Sequence, residues 1–169
     1  DYLVLPAKGE EILQAFEKGE RYILDYYAKL KISGKRNAKV ITLISSKGGC
    51  GKSIVAANLS YLLQKGFQQK VLIIDTVQRF GSIDILLDIN EKKSIANLPQ
   101  ASEGPEAMLQ ELEENVVIHS SGMHILQAGE KKDDTLNIIK LRAIITAAKS
   151  RYDYIIVDTE SYFSDLVVG

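Results

Sequence analysis

The stretch Ser46-Lys47-Gly48-Gly49-Cys50-Gly51-Lys52-Ser53 decides the fold, because it is a glycine-rich loop between a strand-like and a helix-like segment. Its three glycines allow backbone N–H groups to point at a polyphosphate from close range. Lys52 supplies a cation for the outer phosphates, and Ser53 is the expected Mg²⁺ ligand. The helix that follows directs its positive N-terminus at the same charge. The strict phosphate-loop pattern has Gly where Ser46 stands, so the match depends on spacing and context.

We therefore expect this loop to bind MgATP. A glycine-rich turn with two incidental lysines is the alternative interpretation, and the strand–loop–helix context argues against it. We interpret the cysteine at the variable loop position as a small residue that fills a tight corner. The expected nucleotide-binding residues are Lys47, Gly48, Gly49, Cys50, Gly51, Lys52, Ser53 and Ile54.

Outward from the loop, segments with the pattern of strands alternate with segments that have the pattern of helices. Residues 40–44, 71–74 and 154–157 are apolar, mostly β-branched runs, as is typical of buried parallel strands. Residues 53–65 are predicted to form a helix that Gly66 ends. Such alternation predicts an α/β protein with the three-layer P-loop NTPase fold, in which helices cover both faces of a mostly parallel sheet.

The later part of the chain carries weaker patterns. Residues 94–98 and 105–112 are predicted to form helical pieces, and residues 116–118 and 123–126 to form two strands around a tight turn. His119 and His124 flank that turn, and we interpret both as surface residues. Asp133 or Asp134 can cap a helix that runs to Lys149. The predicted apolar face of that helix consists of Ile138, Leu141, Ile145 and Ala148.

Two aspartates, Asp75 and Asp158, each end a buried strand. The carboxyl ends of parallel strands share one edge of a sheet, and ligands bind there. Carboxylates beside a phosphate loop hold Mg²⁺ directly or through its waters, whereas a helix cap or a solvated loop residue is the alternative interpretation. The expected metal ligands are Ser53, Asp75 and Asp158, with Asp158 as the better Walker B candidate.

Composition excludes several classes of protein. A net charge of −1 over 169 residues does not favour nucleic-acid binding, and one cysteine cannot form an intrachain disulfide. No apolar run approaches the roughly 20 residues that a bilayer-spanning helix needs. We therefore expect a cytoplasmic protein that reaches a cell pole or membrane only through partners. The chain starts without Met and stops in an apolar stretch, so we expect a fragment of a longer protein, truncated at its C-terminus.

The loop motif resembles the deviant Walker A of the ParA/MinD family, because Lys47 precedes the two glycines. Asp75-Thr76-Val77-Gln78 is similar to the first switch of that family, and Asp158-Thr159-Glu160 to its Walker B and second switch. The resemblance implies a homodimer that closes over two ATP molecules, with Lys47 reaching the partner's phosphates. It also implies that the catalytic residues are Lys47, Lys52 and Asp75.

Residues 75–88 and 151–154 look most like the TadZ/CpaE branch, which serves pilus assembly. The head of the chain, Asp1-Tyr2-Leu3-Val4-Leu5-Pro6 with the helix-like segment after it, resembles the end of an atypical receiver domain. We therefore expect residues 1–36 to be the end of that receiver-like domain with a linker, and residues 37–169 to be the ATPase domain.

One departure from the family pattern concerns catalysis. Active members carry a second aspartate where this chain has Val77, and an isopropyl group cannot orient the attacking water. We therefore expect slow ATP hydrolysis by a dimeric scaffold with pilus or secretion proteins as partners. The main alternative is an actively hydrolysing ATPase of DNA partition or division-site placement. A P-loop metabolic ligase is a third hypothesis, and an iron–sulfur carrier is disfavoured because a lone cysteine cannot hold a cluster.

Overall fold

The computed structural model describes residues 37–77, 82–91, 93–101, 104–129 and 136–160. The chain divides into two units, Asp1–Arg36 and Asn37–Gly169, and the elements below belong to the second. The receiver-like strand and helix that the sequence predicts lie outside the described residues. So do Gln78, Asp133 and Asp134.

The described residues form a five-stranded sheet, whose strands are β1 Lys39–Leu43, β2 Val71–Asp75, β3 Val117–Ile118, β4 His124–Leu126 and β5 Tyr154–Asp158. Their spatial order is β1-β5-β2-β4-β3. The β1–β5, β5–β2 and β2–β4 pairs are parallel, and the β3–β4 pair is antiparallel. This order places the carboxyl ends of β1, β5 and β2 side by side at one edge.

Four α-helices connect the described strands. They are α1 Lys52–Tyr61, α2 Ile83–Leu86, α3 Pro105–Asn115 and α4 Ile138–Ala148. Helix α1, which follows the glycine-rich loop, continues as a π-helical segment at Leu62–Gly66 before the chain enters β2. A short 3₁₀ turn lies at Ile95–Asn97.

Alternate residues of the central strands face two separate hydrophobic cores. Leu72 and Ile74 of β2 pack in the core that α3 and α4 cover, while Val71 and Ile73 pack in the core that contains Ala56 of α1. β2 is buried along its whole length because both of its faces are covered. The predicted three-layer α/β fold with helices on both faces of a mostly parallel sheet is therefore confirmed.

The start of α4 differs from the sequence prediction. Asn137 is its N-cap, and the Asn137 side chain accepts a hydrogen bond from the Lys140 backbone N–H at 2.9 Å. The buried face also differs from the predicted one, because it includes a lysine: the Lys140 ammonium donates to the Leu98 carbonyl at 2.8 Å. The buried residues of α4 are Lys140, Leu141, Ile144, Ala147 and Ala148. Leu141 and Ala148 of the predicted face are therefore buried and Ile145 packs against the core, whereas the burial of Lys140 and Ile144 was not predicted.

The predicted hairpin of β3 and β4 is present, but the interpretation of His124 as a surface residue is wrong. His124 opens β4 and is half-buried, and its Nδ1 lies 2.9 Å from the Tyr152 hydroxyl. Burial and the nearby Lys70 ammonium lower the pKa of His124. His119 does belong to the turn, where its Nδ1 accepts a hydrogen bond from the Ser121 backbone N–H.

Candidate functional site

The glycine-rich loop leaves β1 at its carboxyl end and leads directly into α1. Gly49 and Gly51 adopt φ values of 73° and 88°, a left-handed conformation that costs other residues about 1–2 kcal/mol. A side-chain carbon at either position would meet no other atom within 4 Å. The backbone conformation therefore requires these glycines, and the space beside them is open.

The first turn of α1 starts without a side-chain cap. Its N-cap residue is Gly51, and the turn contains no acidic residue. The first four N–H groups of a helix have no partner within the helix, and they carry the positive end of its dipole. Because Lys52 and Ser53 belong to this same turn, a phosphate there would meet amides, an ammonium and a hydroxyl together.

The Ser45 hydroxyl joins the two lysines of the loop. It donates to the Lys47 carbonyl at 2.9 Å and accepts from the Lys52 ammonium at 2.9 Å. The hydrogen bond with Ser45 is also the largest cause of a lowered pKa of the Cys50 thiol. Cys50 is exposed to solvent, so the interpretation that it fills a tight corner is wrong.

Asp158 ends β5 beside the loop and is fully buried, with an exposed fraction of 0%. Among the described residues, neither of its carboxylate oxygens has a hydrogen-bond partner of standard geometry. Burial raises the pKa of Asp158, and the neighbouring Ser53 hydroxyl and Lys52 ammonium partly oppose that rise. A buried carboxylate without partners is costly, and a bound cation is the usual remedy.

Asp75 ends β2 directly opposite Asp158 in the parallel register. Its Oδ1 accepts a hydrogen bond from the Val77 backbone N–H at 2.8 Å. Burial raises the pKa of Asp75 to about 7, with smaller contributions from the charges of Asp158, Asp84 and Glu160, whereas the Val77 N–H opposes the rise. Near neutral pH, this carboxyl group is therefore poised between its protonated and its charged form.

Two threonines tie the three strand ends together. The Thr76 hydroxyl donates to the Asp158 carbonyl at 2.8 Å, and the Thr159 hydroxyl donates to the Leu43 carbonyl at 2.7 Å. These bonds fix the ends of β2 and β1 against the end of β5. The two aspartates therefore stand on a rigid edge rather than on loose loops.

The donor set fits a magnesium nucleotide. The described residues contain no cluster of three or more His, Cys, Asp or Glu side chains that could enclose a metal ion. Mg²⁺ does not need such a cluster, because it is usually held by one or two carboxylates together with phosphate oxygens and waters. The Ser53 hydroxyl and the Asp158 carboxylate, which has no standard hydrogen-bond partner among the described residues, supply that kind of incomplete ligand set.

Comparison with known proteins agrees with this geometry. The sequence model of a family described as "AAA domain" matches residues 38–167. The flagellum site-determining protein YlxH of Helicobacter pylori is 29% identical over 128 residues, which cover 74% of this chain and 42% of that protein. The septum site-determining protein MinD of Synechocystis is 26% identical over 124 residues, which cover 71% and 44%. A crystal structure of a ParA family ATPase from Chlorobium tepidum has a TM-score of 0.65 at 26% identity, over 78% of this chain and 55% of that one.

The chain belongs to the ParA/MinD family of P-loop ATPases. It spans less than half of the length of the two curated relatives described above. The structure brings together, at one edge of the sheet, the ParA/MinD-type loop and both strand-ending aspartates that the sequence singles out. Lys47 and Ile54 lie at the rim of the loop region and are exposed, Ile54 by 55%.

Three residues of this ParA/MinD-type site, Ser45, Thr76 and Thr159, had no role predicted from the sequence, although both threonines lie within the switch-like segments. Both threonines directly follow the strand-ending aspartates, so a polar residue after each aspartate was an available signal. Ser45 carried no comparable signal, because its role depends on how the loop folds back over the end of β1.

In the part of the chain that the structure describes, no helix has the length and apolar character needed to cross a bilayer.

Proposed function

We propose that this edge of the sheet binds MgATP. The observation that carries the proposal is the fully buried Asp158 carboxylate, which has no standard hydrogen-bond partner among the described residues and lies beside the first turn of α1. The metal would be held by Ser53, Asp75 and Asp158. The phosphates would be held by the loop and the start of α1, through Lys47, Gly48, Gly49, Cys50, Gly51, Lys52, Ser53 and Ile54.

Each part of the chain has a distinct task in this site. Bound Mg²⁺ would draw charge from the phosphate oxygens and fix their orientation. The loop amides and the Lys52 ammonium would neutralise the outer phosphates, since charge-assisted hydrogen bonds are about twice as strong as neutral ones. Thr76 and Thr159 would keep the two aspartates in place.

The proposed active assembly is a homodimer closed across the nucleotide. Support comes from Lys47. Its carbonyl accepts a hydrogen bond from the Ser45 hydroxyl, and the residue is exposed at the surface of the loop. A lysine presented in this way can reach the phosphates of a second copy, where its charge would act only in the dimer. Lys47, Lys52 and Asp75 are the proposed catalytic residues.

We further propose that hydrolysis is slow. Val77 lies two residues after Asp75 and supports it through a backbone N–H, but its side chain has no group that can accept a proton or orient water. Loss of such a group typically lowers the rate by about 10²- to 10⁴-fold. Asp84 and Glu160 are close enough for their charges to raise the pKa of Asp75. However, the Asp84 Oδ1 accepts a hydrogen bond from the Ile85 backbone N–H, so this oxygen is already used within its own helix.

In the cell, a slow nucleotide-dependent dimer suits a scaffold better than a motor. We propose a cytoplasmic localisation factor of the TadZ/CpaE type for pilus or secretion assembly, with a receiver-like domain before residue 37. Its location at a membrane or a cell pole would be determined by partner proteins. Direct binding of nucleic acid is not expected, because the net charge is −1.

The second candidate is an actively hydrolysing ATPase that positions a flagellum, a septum or DNA. It is favoured by the names of the relatives, which are site-determining proteins of the flagellum and the septum. Turnover distinguishes the two functions. An active ATPase would hydrolyse ATP at rates typical of the family and would respond to DNA or lipid, whereas the scaffold would bind ATP and keep it.

Single-turnover hydrolysis of MgATP tests the proposal. We expect little hydrolysis by the wild-type protein and a gain in Val77→Asp, because the new carboxylate can orient water. Val77→Asn is the matched control, since it has nearly the same shape without the charge, and it should stay slow. Family-typical turnover by the wild-type protein, or equal rates in all three proteins, would refute slow hydrolysis by loss of the switch aspartate.

A further inference from the structure

Ser45 lies at the centre of the hydrogen bonds within the loop, although it precedes the family motif. Its hydroxyl donates to the Lys47 carbonyl at 2.9 Å and accepts from the Lys52 ammonium at the same distance. A serine hydroxyl has one proton and two lone pairs, so a proton given to Lys47 leaves the lone pairs for Lys52. One small side chain therefore joins both lysines of the proposed site.

The arrangement fixes two different features of the loop. The bond to the Lys47 carbonyl orients the peptide at the exposed rim, directly before the first glycine. The bond to the Lys52 ammonium holds a long, flexible side chain, which otherwise loses much rotamer freedom when it is ordered. Ser45 is partly buried and lies two residues after Leu43, the last residue of β1, so its own position is set by the sheet.

We propose that Ser45 is a positioning residue that preorders Lys47 and Lys52 for the phosphates. The inference rests on the proposed nucleotide binding and names a residue that the ParA/MinD-type motif does not contain. Ser45 acts through the two lysines rather than through contact with the reacting atoms. Because ordering that exists before binding need not be supplied at binding, its loss weakens affinity.

The size of the effect follows from the bonds that are lost. A typical hydrogen bond contributes a few-fold to tenfold to an equilibrium, and one to a charged group contributes more. Partial exposure of the pair reduces that contribution. We therefore expect Ser45→Ala to weaken MgATP binding by about tenfold. Ser45→Thr keeps the hydroxyl and should restore most of the affinity.

Cys50 offers a reporter that does not need nucleotide. It is exposed, is the only cysteine of the chain, and lies between Lys47 and Lys52 in the loop. In Ser45→Ala, the rate of Cys50 alkylation by iodoacetamide should change, because the loop around the thiol loses both hydrogen bonds of the Ser45 hydroxyl. Ser45→Thr should keep the rate of the wild-type protein. Ser120→Ala, at an exposed serine of the β3–β4 turn, is the control for a general effect of losing a hydroxyl.

Isothermal titration with MgATP then tests the consequence in the wild-type, Ser45→Ala and Ser45→Thr proteins, with circular dichroism to establish folding. A double-mutant cycle with Lys52→Ala should show that Ser45→Ala has a smaller effect once the lysine is absent. Failure of the wild-type protein to bind would refute the proposed function. A wild-type protein that binds, with Ser45→Ala binding equally well or with additive effects in the cycle, would overturn the role of Ser45 alone.

Discussion

The edge of the sheet at the amino ends of the strands and the edge at their carboxyl ends differ in whether the protein satisfies its own polar groups. At the amino ends of the strands, polar groups satisfy one another: His124 Nδ1 lies 2.9 Å from the Tyr152 hydroxyl, and the Lys70 N–H donates to Asp153 at 2.8 Å. At the carboxyl ends, Asp158 is fully buried and, among the described residues, has no standard hydrogen-bond partner. At the first edge these described groups satisfy one another, whereas at the second the described residues leave the Asp158 carboxylate without a standard hydrogen-bond partner, a position that a bound cation can fill.

This difference separates residues that stabilise the fold from residues that serve binding. Both edges contain buried titratable groups with shifted pKa values, so a shifted pKa alone does not identify the functional site. The distinguishing feature is whether the protein itself satisfies the group. A stable domain retains a buried unsatisfied carboxylate only where something compensates for its cost.

The largest expected effect is on MgATP affinity, and it should follow removal of a lysine at the carboxyl-end edge but not at the amino-end edge. Lys52→Ala should weaken MgATP binding by about 10- to 100-fold, because hydrogen bonds to charged groups contribute about 1.5–3 kcal/mol. Lys70→Ala removes a lysine at the opposite edge, whose ammonium lies 5.6 Å from the centre of the Tyr152 ring. It should leave affinity unchanged. Equal losses in the two variants, measured by titration calorimetry, would remove the functional distinction between the edges.

A smaller effect, on stability, should have opposite signs at the two edges. Tyr152→Phe deletes the hydroxyl that satisfies His124 and should lower the free energy of unfolding by about 1 kcal/mol. Asp158→Asn replaces a carboxylate that is costly to bury and, without Mg²⁺, should raise that free energy by on the order of 1 kcal/mol. Urea unfolding in EDTA measures both changes. A loss of stability in Asp158→Asn would show that the carboxylate is already compensated.

The smallest expected effect is a proton released on binding. Burial raises the pKa of Asp75 to about 7, so near neutral pH a part of the molecules carries a proton there that a metal ligand must lose. MgATP binding at pH 7 should therefore release a larger fraction of a proton from the wild-type protein than from Asp75→Asn. The buffer dependence of the binding enthalpy, compared between phosphate and Tris, reports this number. An identical buffer dependence in the two proteins would contradict a metal-linked Asp75.

The same group also affects stability when no ligand is present. The folded protein retains the Asp75 proton up to a pH of about 7, whereas the unfolded chain releases it near the ordinary pKa of 3.8. The folded state therefore binds more protons between these values. The contribution of Asp75 to the free energy of unfolding is complete below pH 3.8 and falls as the pH rises toward 7.

Local patterns in the sequence predicted the central features of the fold and the loop. Strands β2 and β5 were recognisable because strands buried on both faces read as continuous apolar runs. β1 has the same apolar pattern and is a strand, but its residues are exposed or only partly buried, so the prediction that it is a buried strand is wrong. The loop was recognisable because the requirement for positive φ at Gly49 and Gly51 is local and only glycine meets it at low cost. The strand-ending positions of Asp75 and Asp158 followed from the same runs.

The features that the sequence did not predict depend on contacts between distant segments. The burial of Lys140 depends on the Leu98 carbonyl, 42 positions away, and His124 is half-buried because Tyr152 reaches it across the edge of the sheet. The π-helical end of α1 and the strand order are likewise decided by packing. Nor can a sequence show that Asp158 lacks a standard hydrogen-bond partner in the described part of the chain, because that depends on which groups lie within reach of its carboxylate.

Binding of MgATP to the wild-type protein tests the central claim most directly. Titration calorimetry of the folded protein should show saturable binding of one nucleotide per chain, and EDTA should weaken it because the buried carboxylate then faces phosphates without the cation. Circular dichroism establishes that the sample is folded. A folded sample with Mg²⁺ that binds neither ATP nor GTP would contradict the account.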